Sequence, residues 1–276
     1  MGFFDKMLKI DRRWIFLAVA IAVILPFFFY IGLPIKVTPE VKALYDAVER
    51  LKPGDMIMYA PEYDPSTLPE MQPMARAFLR HCFSKNIKLV STGLFQLGVA
   101  QVEQDLTIIA KEYNKVRGVD YVFLGYKPYP ETVILNMGED FRKAFPTDYY
   151  GTPTDSLPMM RGIQNYSDCK LAVTITAVSG IDYWIRSAHG RYNIPLAVGV
   201  TAVMATDYYS YLQSGQLFGL VGGMKGAAEY EQLTGFKEKK HLVATRKMDI
   251  QSFAHLAIIL FVILGNIAYF AARGKK

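Results

Sequence analysis

Cysteine is scarce in this chain of 276 residues, which contains Cys82 and Cys169 and no others. Small domains that depend on disulfides for their stability use more cysteines than this, so that class of protein is excluded. Cys82 lies in a helical run and Cys169 at the start of a strand-like run. We therefore expect both to be free, buried thiols, which either a reducing or an oxidising compartment permits.

The motifs of several common active sites are missing as well. The chain has neither the Gly-x-Gly-x-x-Gly fingerprint of dinucleotide sites nor the lysine-containing loop of nucleoside triphosphatases, and it lacks the Gly-x-Ser-x-Gly turn of serine hydrolases. The four histidines, at positions 81, 189, 241 and 255, do not have the spacing of metal ligands. The sequence thus predicts no metal and no cofactor, and it favours a protein that is not an enzyme.

The excess of positive charge lies outside the main part of the chain. The formal net charge is +6, but residues 1–13 carry +2, residues 237–249 carry +3 and residues 273–276 carry +3. Residues 14–236 carry −2. A domain that binds nucleic acid needs a basic surface, so the sequence predicts no nucleic-acid partner.

Two uncharged segments are long enough to cross a bilayer. Residues 14–33 form a run of 20 residues with Trp14 and Tyr30 near its ends, where aromatic rings favour the membrane interface. A helix of this length spans about 30 Å, the thickness of the hydrocarbon core. Residues 250–272 form a second run of 23 residues. The sequence predicts two transmembrane helices, with the lipid bilayer as a partner, and the first run has no cleavage site of the kind that ends a signal peptide.

The orientation in the membrane depends on where the basic residues lie. The tail 1–13 has four bases and the tail 273–276 has three, and basic residues beside a span favour the cytoplasmic side. The domain side has a similar number, but the first helix usually dominates. We therefore expect both tails in the cytoplasm and the domain outside. Residues 237–249 are then either a basic segment on the membrane surface or a solvated linker.

Residues 34–236 alternate between strand-like and helix-like segments. Short apolar runs predict buried strands at residues 56–60, 87–91, 121–124, 171–178 and within 195–203. Amphipathic runs predict helices between them, at residues 41–51, 67–85, 99–113, 133–145 and 181–188. Thr67 and Glu70 fit a capping box at the start of the second helix. This order predicts a three-layer α/β domain, Rossmann-like or flavodoxin-like, with a mostly parallel sheet.

Polar residues that follow the predicted strands are candidates for a binding site, because ligands of such sheets bind beyond the carboxyl ends of the strands. Glu62 and Asp64 could act as an acid–base pair or bind a cation, or Asp64 could start a turn. Ser91 and Thr92 could bind an anion or cap a helix. The full candidate set is Glu62, Asp64, Ser91, Thr92, Lys127, Ser179 and Asp207.

Small residues recur every four positions between residues 210 and 233. The first row is Gly215, Gly219, Gly223 and Ala227, and a second pair is Gly222 and Gly226. In a helix, the interior glycines would cost about 4–5 kcal/mol relative to alanine, so we expect close packing against another helix, within the domain or between subunits, to offset that cost. The alternatives are a glycine-rich loop that binds an anion beside Lys225, and a re-entrant membrane segment.

Two functions follow from these features. The first is a two-span membrane protein whose α/β domain serves as an assembly, scaffold or binding module, in a homo-oligomer or a larger membrane complex. It is favoured by the missing catalytic motifs and by the glycine row. The alternative is a membrane-anchored enzyme or small-ligand sensor with its site at the carboxyl ends of the parallel strands.

Overall fold

The computed structural model describes residues 10–29 and 31–273. Tyr30 and the ends of the two tails, residues 1–9 and 274–276, lie outside the described residues. The chain divides into two compact units, one made of residues 35–244 and the other of the segments before and after them.

The unit 35–244 is built on a parallel sheet. In the described residues the sheet has six strands: β1 Met56–Glu62, β2 Lys88–Ser91, β3 Tyr121–Phe123, β4 Leu171–Thr176, β5 Leu196–Val200 and β6 Gly219–Gly222. All neighbouring strands are parallel, in the order β3-β2-β1-β4-β5-β6. The strands are buried along almost their whole length, as expected for a parallel sheet covered on both faces.

The helices are α1 Arg12–Phe28, α2 Pro39–Glu49, α3 Leu68–Ser84, α4 Val99–Glu112, α5 Pro130–Glu139, α6 Phe141–Ala144, α7 over residues 181–192, α8 Ala202–Gln213, α9 Gly223–Thr234 and α10 Val243–Arg273. In α7 the central part, Trp184–His189, is π-helical. Short 3₁₀ turns occur at Gln96–Gly98, Thr154–Ser156, Pro158–Met160, Tyr166–Asp168 and Lys239–His241.

Helices cover both faces of the sheet. On one face, Ile134 of α5, Trp184 of α7 and Tyr208 of α8 pack in the same core as Met58 and Val198 of the strands. On the other face, Leu44 of α2, Phe78 of α3 and Tyr230 of α9 surround Gly199 and Val221. The predicted α/β class is confirmed, and the five predicted strands all form within a few residues of their predicted positions.

The helix predicted across residues 210–233 is wrong. Helix α8 ends at Gln213, Gly215 turns the chain with a φ of 78°, and Gly219 then starts β6. Gly219 is needed because the sheet and α2 come close there: a Cβ would lie 3.1 Å from the Cβ of Leu44 and 3.3 Å from that of Ala197. The glycines thus allow close packing within the domain, between a strand and its neighbours instead of between two helices.

The second unit contains the two apolar helices. Helix α1 has 17 residues. It starts two residues before the predicted span of 14–33 and ends five residues before the end of that span. After the helix, the backbone N–H groups of Gly32 and Leu33 donate to the carboxylate of Asp249, at 2.8 and 3.0 Å, and Gly32 has a φ of 66°. By length and composition, one helix of the described residues could cross a membrane, Val243–Ala271.

Helices α1 and α10 run antiparallel within this unit. At one end, the Arg246 guanidinium donates to the backbone oxygen of Phe27 at 3.1 Å. Towards the other end, Trp14 and Ala18 of α1 line the same groove as Phe261 and Ala268 of α10. Both helices expose large apolar side chains, among them Phe16, Ile24, Ile259, Val262 and Phe270.

Candidate functional site

The order of the strands places a switch point between β1 and β4. From β1 the chain continues outward to β2 and β3, and it then returns to β4 and continues in the opposite direction to β5 and β6. Loops that follow β1 and β4 therefore leave the sheet in different directions, and ligands of such sheets generally bind at this place. Glu62 and Thr176, paired in register, are the last residues of these two strands.

Glu62 is buried at this switch point. Its side chain is on the face covered by α7, where Oε1 accepts a hydrogen bond from the indole Nε1 of Trp184 at 3.1 Å. Burial raises the pKa of Glu62 to about 7, since the charged form is poorly solvated and the Trp184 bond offsets only part of that cost. Glu62 thus changes its charge near neutral pH, unlike an exposed carboxyl group.

Trp184 and Gly180 shape the surroundings of this carboxyl group. The hydrogen bond comes from the first residue of the π-helical part of α7, a conformation that is rare and often occurs at functional sites. A Cβ on Gly180 would clash with Glu62 Oε2, so glycine lets the β4–α7 loop approach the carboxylate. The sequence did not point to Trp184 as a partner of Glu62. The rarity of tryptophan was the one signal available, since the chain has two, Trp14 and Trp184.

Ser91 and Thr92 lie at the end of β2, and both are fully buried. Thr92 Oγ1 donates to the backbone oxygen of Gly125 at 2.8 Å, which joins the loops that follow β2 and β3. Ser91 Oγ has no hydrogen-bond partner in the described part of the chain. Ser91 pairs in register with Tyr59 and so faces the side of the sheet opposite to Glu62.

The remaining candidates have other surroundings, although Ser179 directly precedes Gly180 in the loop that approaches Glu62. Asp64 accepts hydrogen bonds from the backbone N–H and hydroxyl of Ser66, at 2.9 and 2.6 Å, and these bonds lower its pKa. This arrangement is a turn, one of the two alternatives for Asp64. The ammonium of Lys127 is 5.5 Å from the ring centre of Phe145. Ser179 is exposed in the loop after β4.

Asp207 does not follow a strand directly, contrary to our expectation. Strand β5 ends at Val200, and Thr201 caps α8 by accepting a hydrogen bond from the backbone N–H of Met204 at 3.4 Å. Asp207 is therefore in the second turn of a helix, where it is exposed. The cap starts the helix earlier than the apolar run suggests, because a hydroxyl at this position satisfies a free backbone donor.

An open cleft lies at the carboxyl end of β6. Its volume is about 260 Å³, and α2, α8, α9 and β6 form its walls. The helices all begin at this edge of the sheet, at Pro39, Ala202 and Gly223. The lining residues are Thr38, Glu40, Val41, Ala202, Ala205, Thr206, Tyr209, Leu220, Gly222, Lys225, Gly226 and Glu229.

Two carboxylates in the wall of the cleft have different surroundings. Glu229 is buried, and its Oε2 accepts from the backbone N–H and the hydroxyl of Thr38, both at 2.7 Å, while its Oε1 pairs with Lys225. Glu40 is only half-buried and accepts one hydrogen bond, at 3.1 Å, from the phenol of Tyr209. Sequence reasoning missed both glutamates, although Glu40 stands at a predicted helix start.

Glu70 has a role that differs from the predicted capping box. The side chain of Thr67 makes no cap bond to α3, and the Glu70 carboxylate reaches the backbone N–H of Ala202 at 2.8 Å. Glu70 thus satisfies the amino end of α8, which is 132 positions away in the chain. Its Oε1 also lies 2.7 Å from the place of a Cβ on Gly223, beside the start of α9.

The glycines and the alanine of the predicted row lie at separate positions in the domain. Gly222 and Gly226 line the cleft, and Gly223 starts α9 with a φ of 60°. Gly215 is in a turn, and Ala227 is fully buried in α9.

Burial limits the reactivity of the two cysteines. Cys82 and Cys169 are free and buried, as expected from the sequence, and burial raises the pKa of both thiols, that of Cys169 to about 12. Both thiols therefore stay protonated and are weak nucleophiles at neutral pH. Within residues 10–29 and 31–273, no group of three or more His, Cys, Asp or Glu is placed to hold a metal ion.

Comparison with known proteins does not add to these observations. No protein-family model matches the chain, and neither the curated proteins nor the solved structures gave a match.

Proposed function

We propose that this is a two-span membrane protein whose α/β domain is a binding module for a small ligand. The observation that carries the proposal is the cleft of about 260 Å³ at the carboxyl end of β6. The carboxyl edge of a parallel α/β sheet is where ligands of such domains bind, and the cleft combines an apolar base with a few polar side chains, as binding sites do.

The membrane part of the proposal is supported by the second unit. Helix α10 is long and apolar enough to cross a bilayer, and α1 lies antiparallel to it with exposed apolar side chains. A carboxylate, that of Asp249, joins the end of α1 to the first part of α10. Two antiparallel spans place both tails on one side of the bilayer and the domain on the other, with the tails in the cytoplasm by their basic residues.

One argument for the scaffold interpretation, the glycine row, no longer supports contact between subunits. That interpretation expected the glycines to pack closely within the domain or between subunits, and Gly219 and Gly226 pack inside the domain, against Leu44, Ala197 and Val221. Assembly into a homo-oligomer or a larger membrane complex stays a prediction. Ligand binding is the function that a feature of the described residues favours directly, and the sensor and enzyme alternatives both place their ligand at this edge of the sheet.

A substitution that fills the cleft tests this proposal. Thr206 is exposed on α8 and lines the cleft, so Thr206→Trp should block it without disturbing the core. The full chain in nanodiscs is heated with a panel of ethanolamine, tyramine, acetate, glucose, adenosine monophosphate and phosphate. A bound compound at about 100 times its Kd stabilises the fold by about 2.7 kcal/mol, which raises the unfolding midpoint by several degrees.

The matched control is Ser210→Trp, one turn further along α8 and also exposed, but outside the cleft lining. We expect at least one compound to raise the midpoint of the wild type and of Ser210→Trp but not that of Thr206→Trp. If the whole panel leaves the wild type unchanged, or if Thr206→Trp keeps the shift, the cleft is not the binding site.

A further inference from the structure

The lysine of the cleft lining, Lys225, is exposed, and its ammonium pairs with a buried carboxylate. Lys225 pairs with Glu229, one turn along α9, and the same carboxylate takes two hydrogen bonds from Thr38. Glu229 is 1% exposed, so this arrangement holds the lysine ammonium against a buried negative charge. A ligand anion on the exposed side of Lys225 would lie close to the Glu229 carboxylate, which repels it.

The positive ends of two neighbouring helices are also satisfied. Glu229 bonds to the backbone N–H at the start of α2, and Glu70 bonds to the backbone N–H at the start of α8. The amino end of a helix attracts negative charge, and in both cases a carboxylate of the protein already occupies that position. The start of α2 and of α8 thus offers little that would draw an anion, and the start of α9, which has no side-chain cap bond, lies beside the Glu70 carboxylate.

Among the described residues of the cleft lining, Glu40 is the charged side chain that has no ion pair. Its carboxylate has room for about four hydrogen bonds and accepts one in the structure, from Tyr209. Burial and the Glu40 carboxylate raise the pKa of Tyr209, so the phenol keeps its proton and continues to donate. Counting Glu40, Glu229 and Lys225, the lining carries one negative charge in excess.

The rest of the cleft suits the organic part of a cation. Val41, Ala205 and Leu220 form an apolar base, and the ring of Tyr209 stands beside the carboxylate that it bonds. An aromatic ring next to a carboxylate is a common way to bind an ammonium group, through cation–π attraction and hydrogen bonds together. A volume of about 260 Å³ is smaller than that of sites for drug-sized ligands, which start at roughly 300 Å³.

We propose that the cleft binds a small amine, with its ammonium group on the Glu40 carboxylate and its carbon chain on the apolar base. This rests on the proposed function, because it names the class of ligand for the same cleft. The ammonium donates to Glu40, and the hydroxyl oxygens of Thr206 and Tyr209 can accept its remaining hydrogens.

The test compares two molecules that differ in the charge of one end. Tyramine and 3-(4-hydroxyphenyl)propionate have the same phenol ring, but the first ends in an amine and the second in a carboxylate. Binding to the full chain in phosphatidylcholine nanodiscs is measured by calorimetry and by ligand-detected NMR, with empty nanodiscs as the blank. We expect tyramine to bind at least tenfold more tightly than the acid.

Variants then locate the amine. Glu40→Gln should weaken tyramine binding at least tenfold, because it removes the charge but keeps an acceptor for Tyr209. The control is Glu131→Gln: Glu131 follows Pro130 at the start of α5 just as Glu40 follows Pro39 at the start of α2, but it lies outside the cleft lining. This control should bind tyramine as the wild type does.

The possible failures are distinguishable. If the acid binds more tightly than the amine and Thr206→Trp abolishes its binding, the amine proposal is wrong while the cleft remains a ligand site. Equal loss in Glu40→Gln and Glu131→Gln would also contradict the amine proposal, since a general effect at helix starts would explain it. If neither molecule binds and the wider panel is flat, both proposals fall.

Discussion

A buried carboxyl group at the end of β1 is the most unusual single residue in the sheet. Glu62 is 3% exposed, and its carboxyl group accepts a hydrogen bond from the indole of Trp184, a neutral donor. A carboxylate in such a place is poorly stabilised when it is charged, and the group is therefore held partly protonated at neutral pH. The stability of the fold should then depend on pH.

The sign of that dependence follows from the raised pKa. The pKa is 4.5 for an ordinary glutamate and about 7 for Glu62 in the folded chain, so the folded state binds the proton more tightly. Stability falls as pH rises from about 4.5 to 7 and changes little above that, with a total loss of about 3 kcal/mol from this group. Glu62→Gln cannot ionise and should remove this loss, which unfolding midpoints at pH 5 and pH 8 would measure.

The control for this prediction is Glu131→Gln, which changes an exposed carboxyl group of α5. It should keep the wild-type difference between pH 5 and pH 8. Should Glu62→Gln lose as much stability as the wild type over the same pH range, the burial of Glu62 would not be the cause.

At the scale of elements, glycine decides how β6 fits between its neighbours. Gly219 lies where α2 and β5 come close, with the Cβ atoms of Leu44 and Ala197 and the backbone oxygen of Glu40 all within 3.3 Å of the place of its own missing Cβ. Gly226 is in a similar position beside Val221. Gly219 and Gly226 are therefore explained by the packing of a strand and a helix within one domain.

A larger side chain at Gly219 should damage the fold directly. Gly219→Leu should cost about 1–3 kcal/mol or more through overpacking and lower the unfolding midpoint by several degrees. Gly265→Leu is the control, because a Cβ on Gly265 of α10 would meet no atom within 4 Å. If Gly219→Leu kept its midpoint but changed the size of the particle in light scattering, the glycine would serve assembly instead.

Sequence patterns predicted the elements that have a simple periodicity. The strands around Met58, Val90 and Val173 are short, mainly apolar runs, a pattern that favours buried strands, and they were predicted within a few residues. Strand β6 was missed because four residues, two of them glycine, carry no such pattern. The start of α8 was missed because its apolar face is short and its beginning is set by the Thr201 cap.

The candidate site was predicted less well than the fold. The rule that ligands bind beyond the strand ends led to Glu62, but not to its partner Trp184, which is 122 positions away. In the same way, Glu70 matches a local capping pattern and yet caps the distant helix α8. Such contacts depend on which helices the fold brings together, and no local pattern in one sequence carries that information.

At the scale of the whole molecule, the chain has an α/β domain between two apolar helices in the sequence. The domain of residues 35–244 has its own core, and the helices are held to each other by Asp249 and Arg246. In the two-span arrangement that we propose, the antiparallel helices fix both ends of the domain on one side of the bilayer. The side chosen decides which ligands can reach the cleft.

The position of the domain relative to the bilayer is the central claim, and labelling from one side of the membrane tests it most directly. Because Cys82 and Cys169 are buried, a membrane-impermeant maleimide reports on introduced cysteines. Lys143→Cys marks the domain at an exposed position, and Lys275→Cys marks the C-terminal tail. In intact cells we expect label on Lys143→Cys alone, with Lys275→Cys labelled only after permeabilisation. Labelling of both from the same side would contradict the two-span account.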